Sequence, residues 1–272
     1  MSLGATSIPF VKAVACGNDF LLIDAAQVHG KLAPEEMGLF TQRICDRHNG
    51  VGADGVEWIY PHPTADAEIH LINADGSPAE ISGNGTRCVA AYLCAESGKR
   101  SVAIQTGAGL KTCTLIGESE SGYEFEADMG EAVVESELAL KVDSHEVRGI
   151  PVSMGNPHYV IFVARFSSNW QQDAAKIQDS PEFMKNGINV EFVSIDGRHD
   201  INARFFERGA GETQSSGTGS CACALAGIAS GKAESPVRVH APGGTQTIRT
   251  HGTRVFLRGV AQLVCRGEFF LS

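Results

Sequence analysis

One short pattern occurs twice in this chain, once in each half. Ser82-Gly83-Asn84-Gly85-Thr86 runs into RCVAAYLCA, and 134 positions later Ser216-Gly217-Thr218-Gly219-Ser220 runs into CACALAGIA. Repetition at that distance points to two copies of one supersecondary arrangement. Both apolar stretches are hydrophobic nearly all round, which suits a helix only where other elements cover every face. Each half is therefore expected to hold one central helix, entered through a Ser-Gly-X-Gly turn. Glycines at the entry let backbone N–H groups point outward, and together with the helix dipole these make an anion site. Two such helix starts facing one cleft could hold one carboxylate between them. A tight entry turn with no further role explains a single copy equally well; two matched copies favour the site.

The rest of the chain reads as strands around those helices. Short apolar runs broken by Gly and Asp recur over 10–24, 67–73 and 102–116, and again over 123–128, 147–154, 159–164, 189–195 and 202–207. From Val237 to the end the sequence alternates or turns. Helical spacing is visible over 34–46 (Met37, Phe40, Ile44) and around 173–177. Strands outnumber helices with no sustained β-α-β alternation, so the expected class is α+β. The polar stretch from Gly117 to Glu124 is the best linker by composition. It divides the chain into an N-terminal half, 1–121, to which 259–272 is expected to return, and a C-terminal half, 122–258. Met1-Ser2-Leu3-Gly4 reads as a leader without weight in the fold.

Composition narrows the partners. The 272 residues carry 22 Lys+Arg against 32 Asp+Glu, a net charge of −10, with no basic cluster longer than a pair. Nucleic-acid binding depends on a basic stripe that releases counterions, so a small solute is the expected partner. No run approaches the roughly 18 apolar residues of a membrane span and no signal pattern opens the chain, which reads as cytoplasmic. The eight cysteines read as reduced core thiols, as in AAYLCAE (Cys94) and QLVCRG (Cys265). Cys221 and Cys223 form C-x-C without a matching pair nearby, so no metal is expected. Neither glycine turn has the third glycine of a dinucleotide fingerprint, and neither a P-loop nor a G-x-S-x-G motif occurs.

Several polar residues sit where strands offer them little: Asn18, Asn73, Asn156, His158, Asn189, Glu207 and Arg208. Taken singly each is a turn former or a structural hydrogen bonder. Asn189 and Arg208 read as lying inside apolar strands, where a turn does not account for them.

The segments GNDF (17–20), RHNGVGADGV (47–56), NADGS (73–77), SGNGTRC (82–88), ADMG (127–130), GNPH (155–158) and ERGAGET-x-x-x-GTGS (207–220) together resemble diaminopimelate epimerase in order and spacing. The resemblance spans nearly the whole chain. It implies a cofactor-independent epimerase that interconverts LL- and meso-2,6-diaminopimelate in lysine and cell-wall synthesis. It implies two pseudo-symmetric domains, each a mixed sheet or barrel wrapped around a central helix, with the amino-acid substrate in the cleft between them and a homodimer as one admissible assembly. Carried over by position, the amides of Gly83, Asn84, Gly217 and Thr218 meet the reacting carboxylate. Asn73, Asn156, Asn189 and Arg208 meet the distal end, with Asn18 close by as a further substrate-binding residue, and His158 and Glu207 flank the acid/base positions.

At those two positions the family uses cysteines, and this chain has Ser82 and Ser216. A thiol near pKa 8.5, lowered at a helix N-terminus, supplies a thiolate at neutral pH; an alkoxide is not comparably accessible. Cys88 and Cys221 lie six and five residues further on, within the expected helices, and cannot substitute directly. Three readings stay open: serines acting as proton relays polarised by His158 and Glu207, an amino-acid-binding homologue with lost or altered chemistry, or a deliberate exchange of both cysteines. A same-fold isomerase of another amino or carboxylic acid is the remaining alternative. Ser215, where the family commonly has alanine, favours natural drift around the site.

Overall fold

Alternating burial along short strands governs most of the chain, and two long apolar helices supply what those strands enclose. The structure is a computed structural model that describes residues 7–28, 30–143 and 145–271; the leader Met1–Gly4 lies outside them. By its internal contacts the chain divides into one unit running to Ala127 and resuming at Gly259, and a second from Asp128 to Arg258.

In the first unit β1 (Ser7–Ala15) and β2 (Asn18–Asp24) form a hairpin whose two turn residues, Cys16 and Gly17, both have left-handed backbone (φ 48 and 83). Residues 34–36 make a single 3-10 turn that leads into α1 (Met37–Cys45). The chain then enters β3 (Gly55–Tyr60), parallel to β2, and returns antiparallel along β4 (Ala67–Asn73) and the short β5 (Pro78–Ala79). Helix α2 (Gly83–Ser97) follows and stops at Gly98, whose φ of 71 suits glycine. Next come β6 (Ser101–Thr106), parallel to β4, then β7 (Gly109–Ser119) and β8 (Gly122–Glu131), each antiparallel to its predecessor.

The second unit contains β9 (Val133–Val134), β10 (Leu138–Val142), β11 (His145–Ser153) and β12 (Pro157–Phe162), then α3 (Trp170–Gln178). After α3, β13 (Asn189–Gly197) runs parallel to β12, and β14 (Asp200–Glu207) returns antiparallel. A short β15 (Gly211–Thr213) leads to α4 (Gly217–Ala229). Strands β16 (Val237–Ala241) and β17 (Gly244–His251) follow, and β18 (Arg254–Phe270) ends the described chain, its last stretch pairing with β1 in the first unit.

The two units repeat one plan. A hairpin, a helical crossover, a parallel strand, an antiparallel return and a central helix recur in the same order. Each unit has an inner core around its central helix and an outer core under its crossover helix. Cys88 to Ala91 of α2 are fully buried among Phe20, Leu71 and Phe125, while Phe40 and Ile44 of α1 cover Trp58. Every residue of α4 from Gly219 to Gly227 is buried, and Trp170 and Ile177 of α3 cover Phe192. Burial of this extent makes truncation expensive: Phe205→Ala would cost about 3–5 kcal/mol. The class is α+β, with a mixed sheet wrapped around a central helix in each unit.

Several expectations need correction. Gly117 to Glu124 is the closed end of the β7–β8 hairpin, with Ser119 opposite Gly122, and links no domains. Arg208 is exposed and lies one residue beyond β14, and Asn189 opens β13 at its buried edge. Cys265 is exposed. Helix α3 covers the expected 173–177 and begins earlier, at Trp170, ending at Gln178.

Candidate active site

Both central helices are capped in the same way. Ser82 has extended backbone before α2 and its Oγ accepts the Gly85 N–H at 3.0 Å; Ser216 has extended backbone before α4 and its Oγ accepts the Gly219 N–H at 3.2 Å. These are N-cap hydrogen bonds. Gly83 and Asn84, like Gly217 and Thr218, form the first helical turn, where backbone N–H groups have no carbonyl four residues back to bond. The helix dipole concentrates positive charge there.

In the first unit the second residue of α2 is tied to the first residue of β2: Asn84 Nδ2 donates to Asn18 Oδ1 at 2.7 Å. Asn18 in turn donates through Nδ2 to Asp54 at 3.0 Å. The Arg87 guanidinium, 2 % exposed, donates to Asn84 Oδ1 and approaches Cys16 Sγ at 3.7 Å, so the Asn84 amide is fixed in one orientation. Below them Asp19 is bridged by Lys12 and Arg47. Those two cations draw its carboxyl below the usual range against the opposing effect of burial. Asn73 closes β4, where its Nδ2 donates to Ser77 Oγ at 3.1 Å.

The second unit repeats the tie. Asn156 precedes β12 as Asn18 opens β2, and its Nδ2 donates to Thr218 Oγ1, on the second residue of α4, at 3.3 Å. The connection then runs deeper: Asn156 Oδ1 is 3.0 Å from His158 Nε2, and His158 Nδ1 is 2.6 Å from Glu191 Oε1. Because Asn156 Oδ1 can only accept, His158 Nε2 carries a proton, and one further proton is shared between Nδ1 and the carboxyl. His158 and Glu191 are both fully buried as side chains. Burial pushes Glu191 up; the His158 partner draws it back in part, and Glu207 adds to the rise.

Asn189 joins this group twice, donating from Nδ2 to the Pro157 carbonyl at 3.0 Å and accepting the Arg208 backbone N–H on Oδ1 at 2.9 Å. The Arg208 guanidinium donates to the Asn186 carbonyl and otherwise faces solvent. Glu207 ends β14 opposite Gly211. Asn156, His158, Asn189, Glu207, Arg208, Ser216, Gly217 and Thr218 are thus gathered at one end of the second unit. Asn18, Ser82, Gly83 and Asn84 are gathered in the first, and Asn73 is tied into its own turn.

Three buried residues escape the sequence reading: Arg87, Glu57 and Glu191. Glu57 and Glu191 are third residues of β3 and β13, 134 positions apart like the serines, in GVEW and NVEF. A charged residue repeated at the offset of the glycine turns is the signal that could have found them. Cys88, Cys221 and Cys223 are wholly buried on the central helices, and burial pushes the thiols of Cys88 and Cys223 up, away from thiolate chemistry.

The sequence model of the family described as diaminopimelate epimerase matches residues 10–135 and 150–264. The chain belongs to the diaminopimelate epimerase family. It is 37% identical to the diaminopimelate epimerase of Pelotomaculum thermopropionicum, covering 96% of this chain and 98% of that protein. It is 35% identical to the chloroplastic diaminopimelate epimerase of Oryza sativa, covering 96% of this chain and 80% of that protein. Among solved structures a Bacillus anthracis phenazine biosynthesis protein of the PhzF family has the same fold (TM-score 0.72, 16% identity, 98% of this chain and 100% of that one). So does a hydroxyproline epimerase from Agrobacterium vitis with bound trans-4-hydroxy-L-proline (TM-score 0.68, 15% identity, 100% and 93%). Within the diaminopimelate epimerase family, then, this chain carries a hydroxyl at the head of each central helix.

Proposed function

We propose that this chain is a cofactor-independent epimerase that interconverts LL- and meso-2,6-diaminopimelate in the cytoplasm, in lysine and cell-wall precursor synthesis. The observation that carries the proposal is the duplicated helix start. Each unit presents one serine hydroxyl as N-cap beside two first-turn amides, with an asparagine locking the second helical residue in place. A two-base epimerisation needs one proton acceptor and one proton donor at the same carbon. In this reading Ser82 and Ser216 fill those roles. The α-proton leaves to one serine, the charge that develops on the substrate carboxylate is stabilised by the amides of Gly83, Asn84, Gly217 and Thr218, and the other serine returns a proton. Asn18, Asn73, Asn156, Asn189 and Arg208 bind the distal amino-acid end. The fork of Arg208 suits its second carboxylate. His158, with Glu191 behind it, and Glu207 supply the proton exchange that an isolated hydroxyl lacks.

A second reading, an amino-acid-binding homologue without turnover, is favoured by one observation: both hydroxyls already have a structural function as caps. Incubation with LL-diaminopimelate in deuterated water separates the two. Deuterium at the α-carbon with meso product supports the epimerase. Ligand binding by calorimetry without exchange overturns it in favour of the second reading.

A further inference from the structure

The apolar strand β3 carries one carboxyl that the fold does not use. Glu57 is fully buried, and neither of its oxygens has a hydrogen-bond partner. Its structural counterpart in the second unit shows what is missing. β3 runs parallel to β2 with Gly55 beside Phe20, and β13 runs parallel to β12 with Asn189 beside His158. Two residues further on stand Glu57 and Glu191. Glu191 is met by His158; the corresponding residue in the first unit is Phe20, which offers nothing to a carboxyl.

Glu57 turns instead towards the head of α2. A Cβ built on Gly85 would lie 2.0 Å from Glu57 Oε1 and 3.3 Å from Ser82 Cβ, so the carboxyl occupies the space that any side chain at 85 would need, and Ser82 borders that same space. At the corresponding Gly219 the same space is filled by the Phe205 ring. Ser82 Oγ accepts the Gly85 N–H, which leaves its own O–H proton to be donated.

We propose, resting on the epimerase reading above, that Glu57 is the positioning and proton-holding partner of Ser82, through a hydrogen bond that the structure does not make and that has to close for the transfer. When Ser82 acts as base, the substrate C–H bond breaks and its proton passes to Ser82 Oγ as the Ser82 hydroxyl proton passes to the Glu57 carboxylate. The electron pair stays on carbon, delocalised into the adjoining substrate carboxylate. In the other direction the Glu57 carboxyl gives its proton to Ser82 Oγ as the hydroxyl proton moves to carbon. No alkoxide forms in either direction, which answers the difficulty a serine poses in place of a thiol.

The electrostatic setting agrees with this role. Burial pushes the Glu57 carboxyl from its ordinary 4.5 up to about 8, close to the working range of a general acid/base. Burial is the cause of that rise; Glu57 in turn raises the neighbouring Cys88 thiol on α2, and its partners on the flanking strands, Leu22 of β2 and Leu71 of β4, are apolar. An unpaired buried carboxyl costs stability, and such a cost is retained where activity needs it.

The test combines turnover with a titration that needs none. Glu57→Gln keeps the shape and cannot exchange the proton. It is expected to lower kcat by about 100-fold or more with KM within a few-fold, to remove the limb near pH 8 from the rate profile, and to leave the melting temperature at pH 8 unchanged or higher. Glu57→Asp is expected to recover part of the rate. Infrared difference spectra of the wild type are expected to show a carboxyl titrating near pH 8 that is absent in Glu57→Gln and shifted upward in Ser82→Ala. A Glu57→Gln enzyme with wild-type kcat and pH profile overturns the proposal. A carboxyl that ionises in the ordinary range, or whose titration ignores Ser82, also overturns it. Wild-type protein that exchanges no α-proton refutes the epimerase reading separately, and the titration still decides whether Glu57 serves Ser82.

Discussion

Removing the two cap hydroxyls separates what the serines do for the fold from what they do for chemistry. Ser82→Ala deletes the acceptor of the Gly85 N–H and Ser216→Ala that of the Gly219 N–H. Loss of a serine cap costs about 1 kcal/mol. Ser216 is 5 % exposed and its cap bond is buried, so its loss also strands a desolvated N–H and raises the cost to about 2 kcal/mol. At about 2–4 °C per kcal/mol for chains somewhat shorter than this one, calorimetry should show Ser82→Ala melting about 2–4 °C lower and Ser216→Ala about 4–8 °C lower. Both should lose epimerisation. Replacement by cysteine weakens the caps similarly, because sulfur is a poor acceptor, yet it installs a thiol whose pKa the helix start lowers. The cysteine variants should therefore melt below the wild type while epimerising at least as fast. If they are as inactive as the alanine variants, the serine positions are not the acid/base positions; if alanine leaves melting unchanged, the cap assignment is wrong.

Glu191→Leu leaves the buried His158 Nδ1 without a partner and should destabilise the protein by about 3 kcal/mol in urea unfolding, more than Asp200→Ala at an exposed ion pair. Arg208→Ala, at an exposed guanidinium, should raise KM for diaminopimelate with little change in melting temperature, and Lys should restore only part of the binding because it lacks the fork. Glu57→Gln relieves a buried carboxyl whose proton is held up to about pH 8 in the folded chain and only to about 4.5 unfolded. Wild-type stability from this group is fully present below about pH 4.5 and declines, at about 1.4 kcal/mol per unit, as pH rises towards 8. The variant's advantage in melting temperature should therefore grow from pH 5 to pH 8.

Much of this architecture is legible in the residues. β4 is bounded by alternation over Ala67–Asn73, and both central helices follow from an apolar run after a glycine turn. Gly117 to Glu124 misleads because glycine, serine and glutamate serve a hairpin tip as well as a linker, and only strand pairing distinguishes them. Arg208 reads as part of a strand because Phe205 and Phe206 precede it, yet Gly209 and Gly211, both with left-handed backbone, turn the chain there. Cys265 sits among apolar neighbours, but the end of β18 exposes it. The N-cap role of the two serines is a standard one for this residue type, although the departure from cysteine draws the eye to chemistry first. Glu57 and Glu191 are the instructive case. Their strands look like ordinary core strands, and only burial and partner geometry show that one carboxyl is paired and the other is not.

In the proposed function Ser82 and Ser216 each serve one stereochemical course at the substrate's reacting carbon. Deuterium wash-in at the α-carbon of LL- and of meso-diaminopimelate, measured by NMR for each single alanine variant, decides whether they do. A base that survives can still remove a proton from its own face and return deuterium there. Ser82→Ala should thus exchange one stereoisomer without epimerising it and spare the other, and Ser216→Ala should show the mirror pattern. Equal loss for both stereoisomers in either variant, or exchange unchanged from wild type, rules out that division of roles between the two serines.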